Sequence, residues 1–445
     1  MFQTDFTLEE LKQRREKVCD AIGEGGLALL QGADSAPAHG LFRQYNDFYY
    51  LCGIEEPHAY LLVNGRSRKT TLFLAHQKGD NGEVLSPDQP DRVKGLAGVD
   101  AVLGIEALAS QIHNAPVVYT PFRHGEGFNE SRDTLWHWYA GVVSDPWDGR
   151  LGRTAHFIRN IKERYPQIEI RNLSPVMENL RLIKSAREQD LLRRAGQLSA
   201  YGVREAMRST RPGVMEYQLD ACMRYVYLNG GARDQGYRAI VAGGPNVWYA
   251  HYGRNDRPLK DGEWVLVDCA PDYRYYTSDI GRMWPVNGTY STRQRELYGF
   301  VVAYHQAVLK RIRPGATAPE IHAAAANEMR GILEKWTFSK PIYEDAARRM
   351  LDFTGHLSHG VGMCVHDPVD YRSKPLEPGM VFAVDPQMWI PEERLYVRVE
   401  DTVCVTENGL ENYTQAAPLE LDEVERFMRE DGMVQAFPPV PMPTA

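Results

Sequence analysis

The chain has 445 residues, of which 43% are hydrophobic and 25% charged, and a formal net charge of −8. This length predicts two or three domains with real cores. A net negative charge with no long Lys/Arg run argues against a nucleic-acid partner. Six cysteines, Cys19, Cys52, Cys222, Cys269, Cys364 and Cys404, occur without any C-x-x-C pair, so neither a disulfide framework nor a cysteine zinc site is indicated. No apolar stretch reaches 18 residues, so no membrane contact is expected. Met1–Thr7 carries no basic leader before an apolar run, and a cytoplasmic protein is the expectation.

The first predicted element is a helix over Leu8–Ile22, opened by Thr7 and Glu10 at capping-box spacing. Short apolar runs follow at Leu27–Leu30, Tyr60–Val63, Thr71–Leu74 and Val117–Tyr119, a pattern that predicts an α/β domain over residues 1–174. Ser185 and Glu188 repeat the capping spacing, and a long helix to about Met207 ends before Arg211-Pro212-Gly213. From there long helices and hairpins alternate, so residues 175–432 read as a second domain and the whole chain as α+β. Residues 433–445 run into Phe437-Pro-Pro-Val-Pro-Met-Pro443 and are expected to be a flexible tail.

Two predicted hairpins carry the chemistry. Val265–Ala270 and Tyr275–Pro285 are strand-like around Pro271–Arg274. A turn centred on Tyr273-Arg274 would set Asp268 opposite Asp279. Met380–Ile390 and Leu395–Val405, joined by Pro391–Arg394, would set Asp385 opposite Glu400. Directly opposed like charges destabilise a strand pair, and a cation between them reverses the sign.

Between the hairpins, Thr354–Asp367 holds His356, His359 and His366 among glycines. Glycine in strand-like sequence marks a bulge or a close backbone approach. Four carboxylates with a neutral imidazole make a mixed oxygen/nitrogen donor set suited to Mn²⁺, Co²⁺, Fe²⁺ or Zn²⁺. Five donors exceed what one ion with an open position needs, which points to two divalent ions with bridging carboxylates.

The ordered series Asp268, Asp279, His359, Asp385 and Glu400 resembles the dinuclear site of the "pita-bread" metallopeptidase family, and within it the Xaa-Pro aminopeptidases and prolidases. Asp47–Pro57, Arg181–Glu188, Ile240–Asn246 with His251, Ser278–Arg282, Leu357–Gly362, Leu376–Met380 and Arg398–Asp401 are similar to segments of those enzymes. The resemblance implies an N-terminal α/β domain before a pita-bread catalytic domain. It also implies cleavage of the bond between an N-terminal residue and proline in a small peptide. Asp268 would bind one ion, His359 and Asp385 the other, with Asp279 and Glu400 bridging and Mn²⁺ the first choice of metal. His251 and His366 would bind substrate and meet the developing charge, Asp385 would shuttle the proton, and Arg398 would hold Glu400. A homodimer or homotetramer is implied as well.

This chain departs from the family pattern at three places. Asp385-Pro-Gln387 stands for Glu-Pro-Gly, Gly355 stands where a histidine is usual while His356 lies one residue later, and Trp389 replaces a tyrosine. All three face the pocket side. They leave open altered peptide specificity or a metal-dependent relative acting on a small non-peptide zwitterion, as a creatinase-like hydrolase or a sulfonium lyase does.

Overall fold

A computed structural model describes residues 4–34, 41–75, 89–127, 131–368 and 374–438. Two compact units divide at Arg181/Leu182, close to the change of texture at 174. The structure is mixed α/β.

In the first unit the elements are α1 (Leu8–Ile22), β1 (Gly26–Gln31), α2 (Asn46–Cys52), β2 (Tyr60–Asn64), β3 (Thr70–Leu74), α3 (Gln89–Ala97) and β4 (Ala101–Gly104). They continue with α4 (Leu108–Ile112), β5 (Val117–Thr120), α5 (Arg132–Ser144), α6 (Arg153–Arg164), β6 (Glu169–Asn172) and α7 (Ser174–Leu182). The Thr7 side chain accepts from the Glu10 amide at 3.1 Å and starts α1. One six-stranded sheet runs β4-β3-β2-β1-β5-β6. Leu27, Leu29, Leu62, Phe73 and Val118 form its core with Ile112 and Ile161 from the helices. Burial of each such side chain stabilises by roughly 1.5–3 kcal/mol. The family-similar segments of this unit meet where Arg181 pairs with Asp47 at 2.9 Å. Helix α5 buries only Leu135, and Trp136, Trp138 and the following Trp147 are 61%, 55% and 97% exposed.

The second unit opens with α8 (Ala186–Ser209) and α9 (Glu216–Asn229). Both halves of the Ser185/Glu188 capping box form. Leu191, Leu192, Ala195, Leu198, Val203 and Ala206 line the buried face of α8 at helical spacing. The strands are β7 (Asp234–Gln235), β8 (Ile240–Gly243), β9 (Trp264–Asp268), β10 (Pro271–Asp272) and β11 (Gly281–Pro285). Next come α10 (Thr292–Leu309), α11 (Ala318–Leu333) and α12 (Pro341–Leu351), then β12 (Gly360–Val361), β13 (Val365–Asp367), β14 (Val381–Val384), β15 (Gln387–Ile390), β16 (Leu395–Arg398), β17 (Asp401–Thr406) and β18 (Gly409–Asn412). Helices α13 (Leu421–Phe427) and α14 (Met433–Ala436) follow. The residues expected as a tail therefore begin with one helical turn, held by the Met433 amide on Glu205 at 2.5 Å. Residues 439–445 lie outside the described residues.

Sheets ordered β11-β9-β8 and β13-β12-β14-β17-β18 carry the functional segments. In the second hairpin one register runs through both ladders. Val384 faces Asp401 and Gln387 faces Arg398, which brackets Asp385 and Glu400 as the sequence predicts. The first hairpin differs from expectation. Asp268 pairs with Gly281, not Asp279, because the turn centre is Arg274-Tyr275. Tyr273 and Tyr276 bridge across it, and both central residues have positive φ, 52° and 74°, the geometry of a tight hairpin turn. Moving the centre by one residue moves the partner by two, so Asp279 stays on the same face as a diagonal neighbour.

Candidate metal centre

An antiparallel bridge joins the two hairpins. The Gly281 amide donates to the Glu400 carbonyl at 3.1 Å and the Glu400 amide returns the bond at 2.9 Å. A Cβ on Gly281 would lie 3.0 Å from the Glu400 Cβ and 3.2 Å from the Arg398 Nε. A bare α-carbon opposite Asp268 is what leaves room for those side chains. The histidine segment is fixed by the Ala383 amide on the His359 carbonyl at 2.9 Å. Asp279 is held by its own backbone, with its amide donating to Thr402 Oγ1 at 2.7 Å and that hydroxyl donating to the Asp279 carbonyl at 2.8 Å.

These contacts gather Asp279, His359 and Glu400 so that one donor atom from each lies within 4.8 Å of the others. His359 Nε2 is 3.3 Å from Asp279 and 3.6 Å from Glu400. Asp268 and Asp385 join the group through Arg398. Its guanidinium hydrogen-bonds Asp268, reaches Glu400 at 3.2 Å and lies 3.8 Å from Asp385. The arginine expected to hold Glu400 thus has its tightest contact with Asp268. Ring centroids of His359 and His366 are 4.0 Å apart, and those of His366 and His251 6.3 Å. The eight candidate residues therefore fall in one neighbourhood.

The electrostatics suit a cation. Glu400 is fully buried, and among the described residues neither of its carboxylate oxygens receives a hydrogen bond. Burial first, opposed by Arg398 and reinforced by Asp279 and Asp385, pushes it up to about 8. Burial and the neighbouring Asp268 push Asp279 up to about 6. Burial alone would lower His359, but the Asp279 and Glu400 carboxylates 3.3 and 3.6 Å away outweigh it and raise the imidazole well above its usual range. A buried carboxylate without donors costs several kcal/mol, and a divalent ion removes that cost. Tyr237 gives an independent indication. Its hydroxyl lies 2.5 Å from Asp268 Oδ1 and 2.6 Å from Asp279 Oδ1, yet it carries one proton. The second short contact needs another proton or a metal ion. The donor set fits divalent metals.

Sequence reasoning missed Tyr237 and Thr402, since an isolated tyrosine or threonine bears no spacing signal. It also missed a link between two of its own three departures. Trp389 Nε1 donates to Gln387 Oε1 at 3.3 Å, and Gln387 Nε2 donates to Asp385 Oδ2 at 2.7 Å. Trp389 also stacks on Tyr396 with centroids 4.2 Å apart. The Asp385 carboxylate, with Gln387, Trp389, Phe353 and His356, borders an apolar cavity of about 410 Å³.

Sequence comparison decides the family. The signature described as "Metallopeptidase family M24" matches residues 190–407, and "Aminopeptidase P, N-terminal domain" matches 11–117. Xaa-Pro aminopeptidase of Escherichia coli is 31% identical, over 96% of this chain and 98% of its own. The chain belongs to metallopeptidase family M24. Among solved structures, proline aminopeptidase P II from Yersinia pestis is similar with a TM-score of 0.76 and 29% identity, over 95% of this chain and 100% of that one. A zinc-substituted E. coli aminopeptidase P in complex with product is similar with a TM-score of 0.76 and 28% identity, over 95% and 98%. The M24 domain covers the candidate metal centre, and the pita-bread architecture is that of these neighbours.

Proposed function

We propose that this M24 enzyme is an Xaa-Pro aminopeptidase, releasing the N-terminal residue that precedes proline from small peptides. The observation that carries the reading is the buried group of Asp279, His359 and Glu400, extended by Asp268 and Asp385, in a chain similar over nearly its whole length to enzymes of that name. Chemistry on a small zwitterion is not favoured by those comparisons. Asp268, Asp279, His359, Asp385 and Glu400 would hold two divalent ions. When bound, the ions supply Lewis acidity and bring the pKa of water toward neutrality. Asp385, half-buried at the cavity edge, accepts the proton of the attacking water and passes it to the leaving proline nitrogen. His251 and His366 donate to the oxygen that gains charge. Arg398 opposes the upward shift of the crowded carboxylates and holds them in place.

Mn²⁺ is the proposed metal, supported by the oxygen-rich donor set. A cytoplasmic location is supported by six free, buried cysteines. No helix among the described residues is long and apolar enough to cross a membrane. A homodimer or homotetramer is supported by the exposed tryptophans of and after α5. The deciding experiment is a panel of Xaa-Pro and Xaa-Ala peptides with Mn²⁺, Zn²⁺ or chelator. Metal-dependent release of the first residue only before proline is expected. Equal cleavage before alanine, or cleavage that survives chelator, overturns the reading.

A further inference from the structure

His366 is bound into the backbone in an unusual way. Strands β12 and β13 pair Val361 with Val365 and Gly360 with Asp367, so His366 is the extra residue of a β-bulge. Its φ is +57°, the left-handed region where a residue with a Cβ costs on the order of 1–3 kcal/mol and persists only where its surroundings force it. This bulge turns the imidazole toward His359 and His251. Something must hold the strand on the far side of it.

The next residue is what is held. Asp367 is buried, and its Oδ2 accepts from Lys184 Nζ at 3.1 Å, both side chains being 1% exposed. Lys184 comes from the first segment of the catalytic unit, 183 residues away in sequence. That segment is itself fixed, since the Lys184 amide donates to the Gly379 carbonyl and Gln189 Nε2 to the Lys184 carbonyl, both at 2.9 Å. The Asp367 carboxylate fills the space beside Gly362, where a Cβ would come within 2.3 Å of Oδ2. Cys364 Sγ makes a further contact to Oδ1 at 3.6 Å. A buried ion pair contributes little to net stability by itself. Fixing a strained geometry is a use that accounts for its place.

We propose that Lys184 is a positioning residue for the peptidase reaction, acting through Asp367 to hold the bulge that presents His366 to substrate. The proposal rests on the role of His366 given above. Misplacing a catalytic group by about 1 Å costs on the order of 10²-fold, so Lys184→Met should lower kcat/KM on an Xaa-Pro peptide by roughly 10- to 100-fold at unchanged metal content. Lys184→Arg, which keeps a cation at Asp367, should retain more than half of the activity.

Lys184→Met takes the ammonium away from a buried carboxylate and is accompanied by Lys184→Met/Asp367→Asn, which removes both charges and should recover thermal stability. If the pair serves only stability, activity returns with it. If it positions His366, activity stays low. The decisive test is a cycle in a His366→Ala background. Lys184→Met/Asp367→Asn should have no further effect on kcat/KM there, and a loss equal to that in the wild type overturns the proposal. A crystal structure of the metal-free Lys184→Met/Asp367→Asn variant gives a readout independent of activity. His366 should have left the left-handed bulge. An unmoved His366 ring beside His359 refutes the assignment. Absence of Xaa-Pro cleavage by the wild-type protein refutes the functional reading instead, and the crystal structure still judges the clamp.

Discussion

Gln387 donates its carboxamide N–H to the Asp385 carboxylate at 2.7 Å. A glycine at that position could make no such bond, and a glutamate at 385 would have less need of it. The short carboxylate, the glutamine and Trp389, which donates to the glutamine, form one chain of hydrogen bonds. We expect Gln387→Gly alone to lower kcat/KM on Xaa-Pro peptides about 10-fold, by freeing Asp385 from its productive orientation. Adding Asp385→Glu should restore most of it, because the longer side chain regains reach without the glutamine. Steady-state kinetics of the two single variants and the double variant check this. Additive losses would show that the two positions act independently.

The metal centre makes a prediction of composition. Elemental analysis of protein prepared with Mn²⁺ should find about two ions per chain, and dialysis against chelator should abolish activity reversibly. Asp279→Ala removes the carboxylate closest to His359 among the acids. It should lower kcat by roughly 10³-fold or more, equivalent to several kcal/mol of transition-state stabilisation. Because the ions bind the folded chain, Mn²⁺ at about 100 times Kd should add about 2.7 kcal/mol to unfolding free energy, read as a rise in Tm. An unchanged Tm on adding metal would contradict a prebuilt site.

Much of this centre was legible in the sequence because its acids stand on strands and a facing pair leaves a spacing. The Asp385/Glu400 hairpin has a 3₁₀ turn at Pro391–Glu393 that its proline announces, so its register could be read. The Asp268/Asp279 turn could not be read. Its two central residues, Arg274 and Tyr275, adopt positive φ without glycine or asparagine, and turn chemistry gives no warning of that. The side-chain periodicity of two rescued the face while losing the partner. Tyr237, Thr402 and Lys184 were out of reach for a different reason. Each meets the site through a contact between residues far apart in sequence, and no local pattern encodes it.

Acid stability should depend on a second buried cluster. His305 is fully buried, with Nε2 3.3 Å from Asp401 Oδ2, and Arg282 pairs with Asp401 at 2.7 Å. Burial, opposed by Asp401 and aided by Arg282, lowers His305 to about 4. The unfolded imidazole titrates near 6.5, so below that pH the unfolded chain takes a proton the folded chain refuses. Stability from this group is complete above about pH 6.5 and falls by about 3 kcal/mol as pH drops to 4. His305→Gln should flatten the pH dependence of urea unfolding over that window relative to wild type. Identical slopes would show that the imidazole does not resist protonation in the fold.

The last prediction concerns assembly. Trp136, Trp138 and Trp147 are each more than half exposed within a stretch of twelve residues, and α5 buries only Leu135 against its own unit. Three large aromatic surfaces held away from the core are a poor arrangement for a free monomer and a good one for an interface, where tryptophan is a favoured anchor. If α5 lies between copies of this chain, Trp136→Lys with Trp138→Lys should raise the dissociation constant of the oligomer by roughly 10²-fold or more, at about 2 kcal/mol or more for each anchor. Both substitutions are at exposed positions, so the Tm of the separated subunit should stay within a few degrees. Sedimentation velocity over a range of concentrations reads the shift from oligomer to monomer. A wild-type chain that is monomeric throughout, or a variant that assembles as tightly as wild type, would remove α5 from the interface.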